Sequence, residues 1–196
     1  MASEEENPVR DNIMQQATNL FMQQGYNGVS MREIAEACDL SKAGLYYHFK
    51  NKEDLFLEIL YQNLKVLSAL VQAALQLSAP TKEKIKYFAH GIFSVLKEDQ
   101  SILIRLASQD LKNLSTEKYA LFSTAYQEGF MRPVASMLSD GMQRGELRKM
   151  NSHTATWALL GVLYPFLDFK MDATLREQQI DDVMQIFFDG ISQPVL

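Results

Sequence analysis

Cysteine is nearly absent from the chain: Cys38 is the only one, so no intrachain disulfide can form and a reducing compartment is the simplest setting. Long apolar runs are missing as well. The longest, Trp157 to Leu167, falls well short of the about 20 residues that a membrane-spanning helix needs, and Glu4-Glu5-Glu6 stands where a signal peptide would carry basic and then apolar residues. The expectation is a cytoplasmic protein with no membrane partner. Positive charge is scarce, with a formal net charge of −5, which excludes a protein that coats nucleic acid by bulk electrostatics. Histidine is scarce too. His48, His90 and His153 are scattered in no metal-binding or nucleophile-activating spacing, so the sequence predicts no enzyme, no catalytic residues, no metal and no cofactor.

What the sequence does have is helical periodicity almost everywhere. No stretch sustains the alternation of a strand, so the fold class is all-α, with about nine helices. Asn7-Pro8 opens a first helix with Ile13, Ala17, Leu20 and Phe21 on one stripe, and Gly25 ends it. Ser30-Met31-Arg32-Glu33 is a capping box for a second helix that buries Ile34 and Ala35. After Asp39-Leu40, Ser41 caps a short third helix that turns Leu45 and Phe49 inward. Asn51 caps a long fourth helix, with Glu53 and Asp54 in its first turn and Leu55, Ile59, Leu64, Leu67, Val71 and Ala74 on one face. Beyond the Ser78-Ala79-Pro80 break, five more helices are expected: about 81–96, 101–112, 115–144, 153–171 and 175–191, the last with a capping box at Thr174 and Glu177. Gly129 with Pro133, and Gly161 with Pro165, predict bends, because proline removes the bond to the carbonyl four residues back and crowds it. Such bends serve either to open a cavity or to fit a helix round the core. Cys38 reads as a small buried hydrophobe.

The residues from Ser41 to Lys52 include Lys42, Lys50 and Lys52 with no Asp or Glu, a local basic island in an acidic chain. Two short helices joined by a tight turn, the second carrying that island, is an arrangement that lets a helix enter the major groove. Gly25-Tyr26, Ser30-Met31-Arg32-Glu33-Ile34-Ala35, Leu40-Ser41-Lys42 and the run from Leu45 through Phe49-Lys50-Asn51-Lys52-Glu53-Asp54-Leu55 resemble the N-terminal signature of the TetR (tetracycline-repressor) family. The resemblance implies a helix-turn-helix DNA-binding domain at 8–56, with the motif itself at about 30–49, and an effector-binding and dimerisation domain at 57–196. It implies that Arg32, Lys42 and Tyr47 read base edges, and that Tyr46, His48 and Lys52 contact the DNA backbone. Ser41, Lys42, Ala43 and Gly44 form the first turn of the third helix, a place suited to phosphate approach. Gly44 stands where the family often has Thr or Ser, so it lacks one hydroxyl contact. Asp39 stands where the family often has Gly, and it tolerates the left-handed conformation that a tight turn needs.

In the C-terminal part, Tyr119 to Met131 carries only Glu128, and His153 to Leu167 carries no Asp, Glu, Lys or Arg. Phe88, Phe93, Phe122, Tyr126, Phe130 and Trp157 line an apolar effector cavity or, alternatively, serve as plain core. The helices around Leu159 and Phe187 are too apolar to be covered on one side only, and the resemblance implies a homodimer paired through the last two helices. The expectation is a repressor released from a palindromic operator by a small apolar effector. The alternative is a DNA-binding dimer regulated by a protein partner, or by no small molecule.

Overall fold

The computed structural model describes residues 8–95, 111–165 and 173–191, and every regular element among them is helical. In chain order these are α1 (Pro8–Gly28), α2 (Met31–Ala37), α3 (Lys42–His48), α4 (Lys52–Gln76) and α5 (Thr81–Val95). A single 3-10 turn, Leu111–Asn113, precedes α6 (Thr116–Tyr126), which runs through a π turn (Gln127–Met131) into α7 (Arg132–Gln143). α8 (Ser152–Leu163) and α9 (Ala173–Ile191) complete the described chain. No described helix is long and apolar enough to cross a membrane.

The chain forms two compact units. Among the described residues, the first comprises 8–63 and 111–122, the second 64–95, 123–165 and 173–191. The core of the first is aromatic: Phe21, Tyr26 and Phe56 meet pairwise at centroid distances of 5.5, 5.6 and 4.9 Å. Ile13, Ala17, Ile34, Leu45, Leu55 and Ile59 fill in around them. α1 does not run straight to its end, because Gly25 takes φ 72° and ψ 162°, a region open essentially to glycine alone. The glycine therefore breaks the helix as expected, and a further turn, to Gly28, follows the break.

In the second unit, the start of α5 is capped by distant residues. The Thr81 N–H donates to Glu146 Oε2 at 2.6 Å, and Arg144 holds both Glu146 Oε1 (2.6 Å) and Thr81 Oγ1 (2.7 Å). The expected stripe of the last helix is buried at Ile180, Met184, Phe187, Phe188 and Ile191. The Thr174 and Glu177 side chains lie outside the described residues, as does most of the helix expected at 101–112.

Both glycine–proline pairs disturb their helices, in different ways. Pro133 has no N–H for the Gly129 carbonyl, and the chain widens into the π turn, with the Arg132 N–H reaching back to the Gln127 carbonyl. Gly129 also permits close approach, since a Cβ there would lie 2.9 Å from Ser68 Oγ on α4. At the second pair, α8 is interrupted at Tyr164, just before Pro165, where the helical backbone resumes, and the rest of the helix expected at 153–171 lies outside the described residues.

Candidate nucleic-acid interface

Three local caps build the candidate site. Ser30 and Glu33 form the reciprocal capping box: Glu33 Oε2 accepts from the Ser30 N–H at 2.7 Å, and Ser30 Oγ accepts from the Glu33 N–H at 3.2 Å. The Ser30 hydroxyl, then its backbone N–H, holds the Glu33 carboxyl below the ordinary carboxylate range. Asp39 turns the chain between α2 and α3 with φ 54°. Ser41 then caps α3, its Oγ accepting from the Gly44 N–H at 3.0 Å. Asn51 Oδ1 accepts from the Asp54 N–H at 2.8 Å and starts α4.

Between these caps α3 divides cleanly. Leu45, with the C-cap Phe49, is buried, while Lys42, Ala43, Tyr46 and Tyr47 face solvent, Tyr47 with 87% of its surface exposed. The Lys42 ammonium lies 5.8 Å from the centre of the Tyr46 ring, and the Tyr47 ring stands edge-on to His48 at 5.2 Å. Arg32 projects from α2 with its Nε 3.0 Å from Glu36, an exposed pair one turn apart. A cation, two phenols and an imidazole thus stand together along seven residues, offering hydrogen-bond donors and flat apolar faces suited to base edges and phosphates. Among the described residues, no group of three or more His, Cys, Asp or Glu side chains is placed to hold a metal ion.

The family model described as "Bacterial regulatory proteins, tetR family" matches residues 13–59, the span that carries these caps and the exposed face. Over these residues the chain belongs to the TetR family of transcriptional regulators. Over that region, the regulator QacR of Staphylococcus aureus is 50% identical across 52 residues, 26% of this chain and 28% of that one. The repressor DhaR of a Mycobacterium species is 26% identical across 189 residues, 94% of this chain and 92% of that one. The crystal structure of AibR in complex with isovaleryl coenzyme A and operator DNA is similar with a TM-score of 0.78 at 25% identity, covering 92% of this chain and 97% of that one. The matched residues are thus those of a DNA-binding regulator's N-terminal domain.

The structure places the remaining site residues less uniformly. The Lys52 ammonium donates to the Tyr26 carbonyl at 2.8 Å and the Val29 carbonyl at 2.7 Å, and lies 4.3 Å over the Tyr26 ring, so two of its three N–H groups are engaged within the chain. Burial pulls its pKa below the ordinary lysine value, with the Glu33 carboxylate pulling the other way. Two residues outside the basic island hold the junction between α3 and α4. Arg10 on α1 donates to the His48 carbonyl at 2.9 Å, stacks 4.2 Å over the Phe49 ring and reaches Glu58 at 3.4 Å. Lys118 on α6 bridges Glu53 and Asp54. Neither carries a local sequence signal, because each partner lies tens of residues away.

Of the aromatic residues considered for an effector site, the second unit brings together Phe88, Tyr126 and Phe130, with Phe130 6.0 Å from Phe88 and 5.3 Å from Tyr126. Burial pushes the Tyr126 phenol up to about 12. Phe93 is half-buried on α5. Phe122 belongs to the first unit, edge-on to Tyr61 at 5.5 Å. Trp157 does not line the interior: 54% of its surface is exposed on α8, and its Nε1 donates to His153 Nε2 at 2.9 Å. Cys38 is buried, and burial raises its thiol pKa.

Proposed function

We propose that the chain is a homodimeric repressor that binds a palindromic operator through two copies of α3 and leaves it when a small apolar effector binds. The observation that carries the DNA part is the division of α3 into a buried Leu45 side and a solvent-facing side of Lys42, Ala43, Tyr46 and Tyr47. In this reading Lys42, Tyr47 and Arg32 read base edges, while Ser41, Ala43, Gly44, Tyr46 and His48 meet the backbone. DNA binding rests with residues 8–56, and effector binding and dimerisation with 57–196. Dimerisation through α8 and α9 is supported by apolar side chains left uncovered there, Trp157 and, at 71% exposure, Ile186.

The effector part rests on the charge-poor group of Phe88, Tyr126 and Phe130 beside the π turn, since π turns recur at functional sites. AibR, similar over most of its length, is a protein whose operator complex holds isovaleryl coenzyme A. A small apolar acyl group is accordingly the first effector to try here. The test begins with selection of duplexes from a random pool, followed by fluorescence anisotropy of the recovered duplex against apolar compounds and acyl thioesters, with sedimentation in parallel. The expected result is a palindromic site, lost on Lys42→Ala or Tyr47→Ala together with base preference, and weakened about 5- to 150-fold by one compound while the dimer persists. An asymmetric site bound by a monomer, or equal losses on all sequences for Lys42, Tyr47 and Arg32 variants, would refute it.

A further inference from the structure

The first compact unit contains more than the N-terminal helices. Residues 111–122, which follow α5 in the chain, cluster with α1 to α3 and the start of α4. Their attachment converges on the first turn of α4. The Ser115 N–H donates to Glu53 Oε1 at 2.5 Å, and the Lys118 ammonium donates to Glu53 Oε2 at 2.9 Å and to Asp54 Oδ1 at 2.5 Å. All three side chains are shielded, with 23% of Lys118, 25% of Glu53 and 32% of Asp54 exposed. The Ser115 N–H, then Lys118, holds the Glu53 carboxyl below the ordinary range, and the hydrogen bond to Asp54 is the first of several that raise Lys118. Asn27 Nδ2 donates to Asn113 Oδ1 at 3.1 Å, Leu114 is buried, and Phe122 lies against Tyr61.

The place of this attachment gives it its consequence. Phe49, the buried C-cap of α3, and Glu53 are four residues apart, with the cap Asn51 between them. Asp54 belongs to that cap twice, through its N–H to Asn51 Oδ1 and its Oδ2 to Asn51 Nδ2. Lys52, in the same turn, is seated on the Tyr26 and Val29 carbonyls. The α3–α4 junction is therefore held from two sides, by the chain before it and by residues 115–118. A seven-residue helix has too few internal hydrogen bonds to fix its own pose.

Building on the DNA-binding reading, we propose that Lys118, with the Ser115 N–H, is a positioning element for the recognition helix: by gripping Glu53 and Asp54 it sets the pose of α3 without touching DNA.

The test uses the full chain, with a fluorescein-labelled duplex recovered by selection on the wild type as probe. Affinity is measured by anisotropy over a range of salt, with thermal melts in parallel. Lys118→Met is expected to weaken binding about tenfold. The slope of log affinity against log salt stays at the wild-type value, because no phosphate contact is lost. Lys118→Arg restores binding. Glu53→Gln, which keeps an acceptor for Ser115 but removes the charge, weakens binding in the same way and serves if Lys118→Met does not fold. Wild-type affinity in both variants overturns the proposal. So does a slope reduced by about 2, one phosphate contact from each protomer, in Lys118→Met, which would make Lys118 a direct phosphate ligand. A wild type that retains no duplex from the pool would overturn both this inference and the DNA-binding reading, whereas retention by wild type and variants alike overturns this one only.

Discussion

Replacing Lys52 with Met separates two roles that the family pattern superposes. Methionine keeps an unbranched apolar stem of similar length and removes only the ammonium. In the folded chain that ammonium is the partner of the Tyr26 and Val29 carbonyls, at 2.8 and 2.7 Å, and lies 4.3 Å from the Tyr26 ring. Leaving a part-buried acceptor without its donor costs about 1 kcal/mol each, the low end for buried groups. The lost cation–π contact adds about 0.5–1 kcal/mol. The sum is a destabilisation of about 2–3 kcal/mol, or a fall in Tm of about 5–10 °C for a chain of this size. Melts followed by circular dichroism must be run at one protein concentration, because dimerisation would otherwise shift the midpoint. If Lys52 serves only as a phosphate ligand, Lys52→Met melts with the wild type and its salt slope of operator binding falls by about 2, one contact from each protomer. That pair of results would refute the structural seat.

Gly25→Ala is expected to destabilise the protein by about 1–3 kcal/mol in urea unfolding, entirely through the backbone, because no atom stands within 4 Å of an added Cβ while φ is +72°. A neutral effect would contradict the backbone geometry. The Asp181 carboxyl, held below its ordinary 3.8 first by a hydrogen bond from His90 and then by the charges of His90 and Lys86, stabilises the fold above that value. That stabilisation is lost as pH falls through the lower folded pKa, and NMR titration should find the Asp181 pKa raised toward the ordinary value in His90→Ala. Finally, Lys50 faces solvent while Lys52 is seated, so a dimer that sets only the Lys50 of each protomer on phosphate should bind its operator with a log–log salt slope near about −2. A slope about twice as steep would show that Lys52 leaves its internal partners for phosphates.

Much of the N-terminal architecture was legible because its signals are local. The box at Ser30 and Glu33, the caps at Ser41 and Asn51, the break at Gly25 and the left-handed turn at Asp39 each depend on residues within a few positions, and each appears where the pattern placed it. Gly129 with Pro133 signalled a disturbance but not its form, since a missing N–H is met equally by a kink or by a π turn, and the fold takes the π turn. Trp157 misled because an uncharged run reads the same whether it faces a cavity or the outside; only the fold shows α8 turning it outward.

The charges take on partners that their local pattern does not show. As sequence, Lys42, Lys50 and Lys52 form one basic island, and Glu53 and Asp54 read as carboxylates suited to a helix start. In the fold the island divides, because Lys52 turns back to the carbonyls that Gly25 and the α1–α2 connection present to it. The two carboxylates are claimed by a lysine more than sixty residues on. A short recognition helix makes such claims necessary: with one buried leucine and one buried cap, α3 takes its pose from whatever holds its two ends. Its exposed face is written locally, in Lys42, Tyr46 and Tyr47, whereas in the proposal above the pose of that face is set by Arg10, Lys52 and Lys118. Substitutions at those three positions should therefore change how well the face meets DNA while leaving unchanged which bases it prefers.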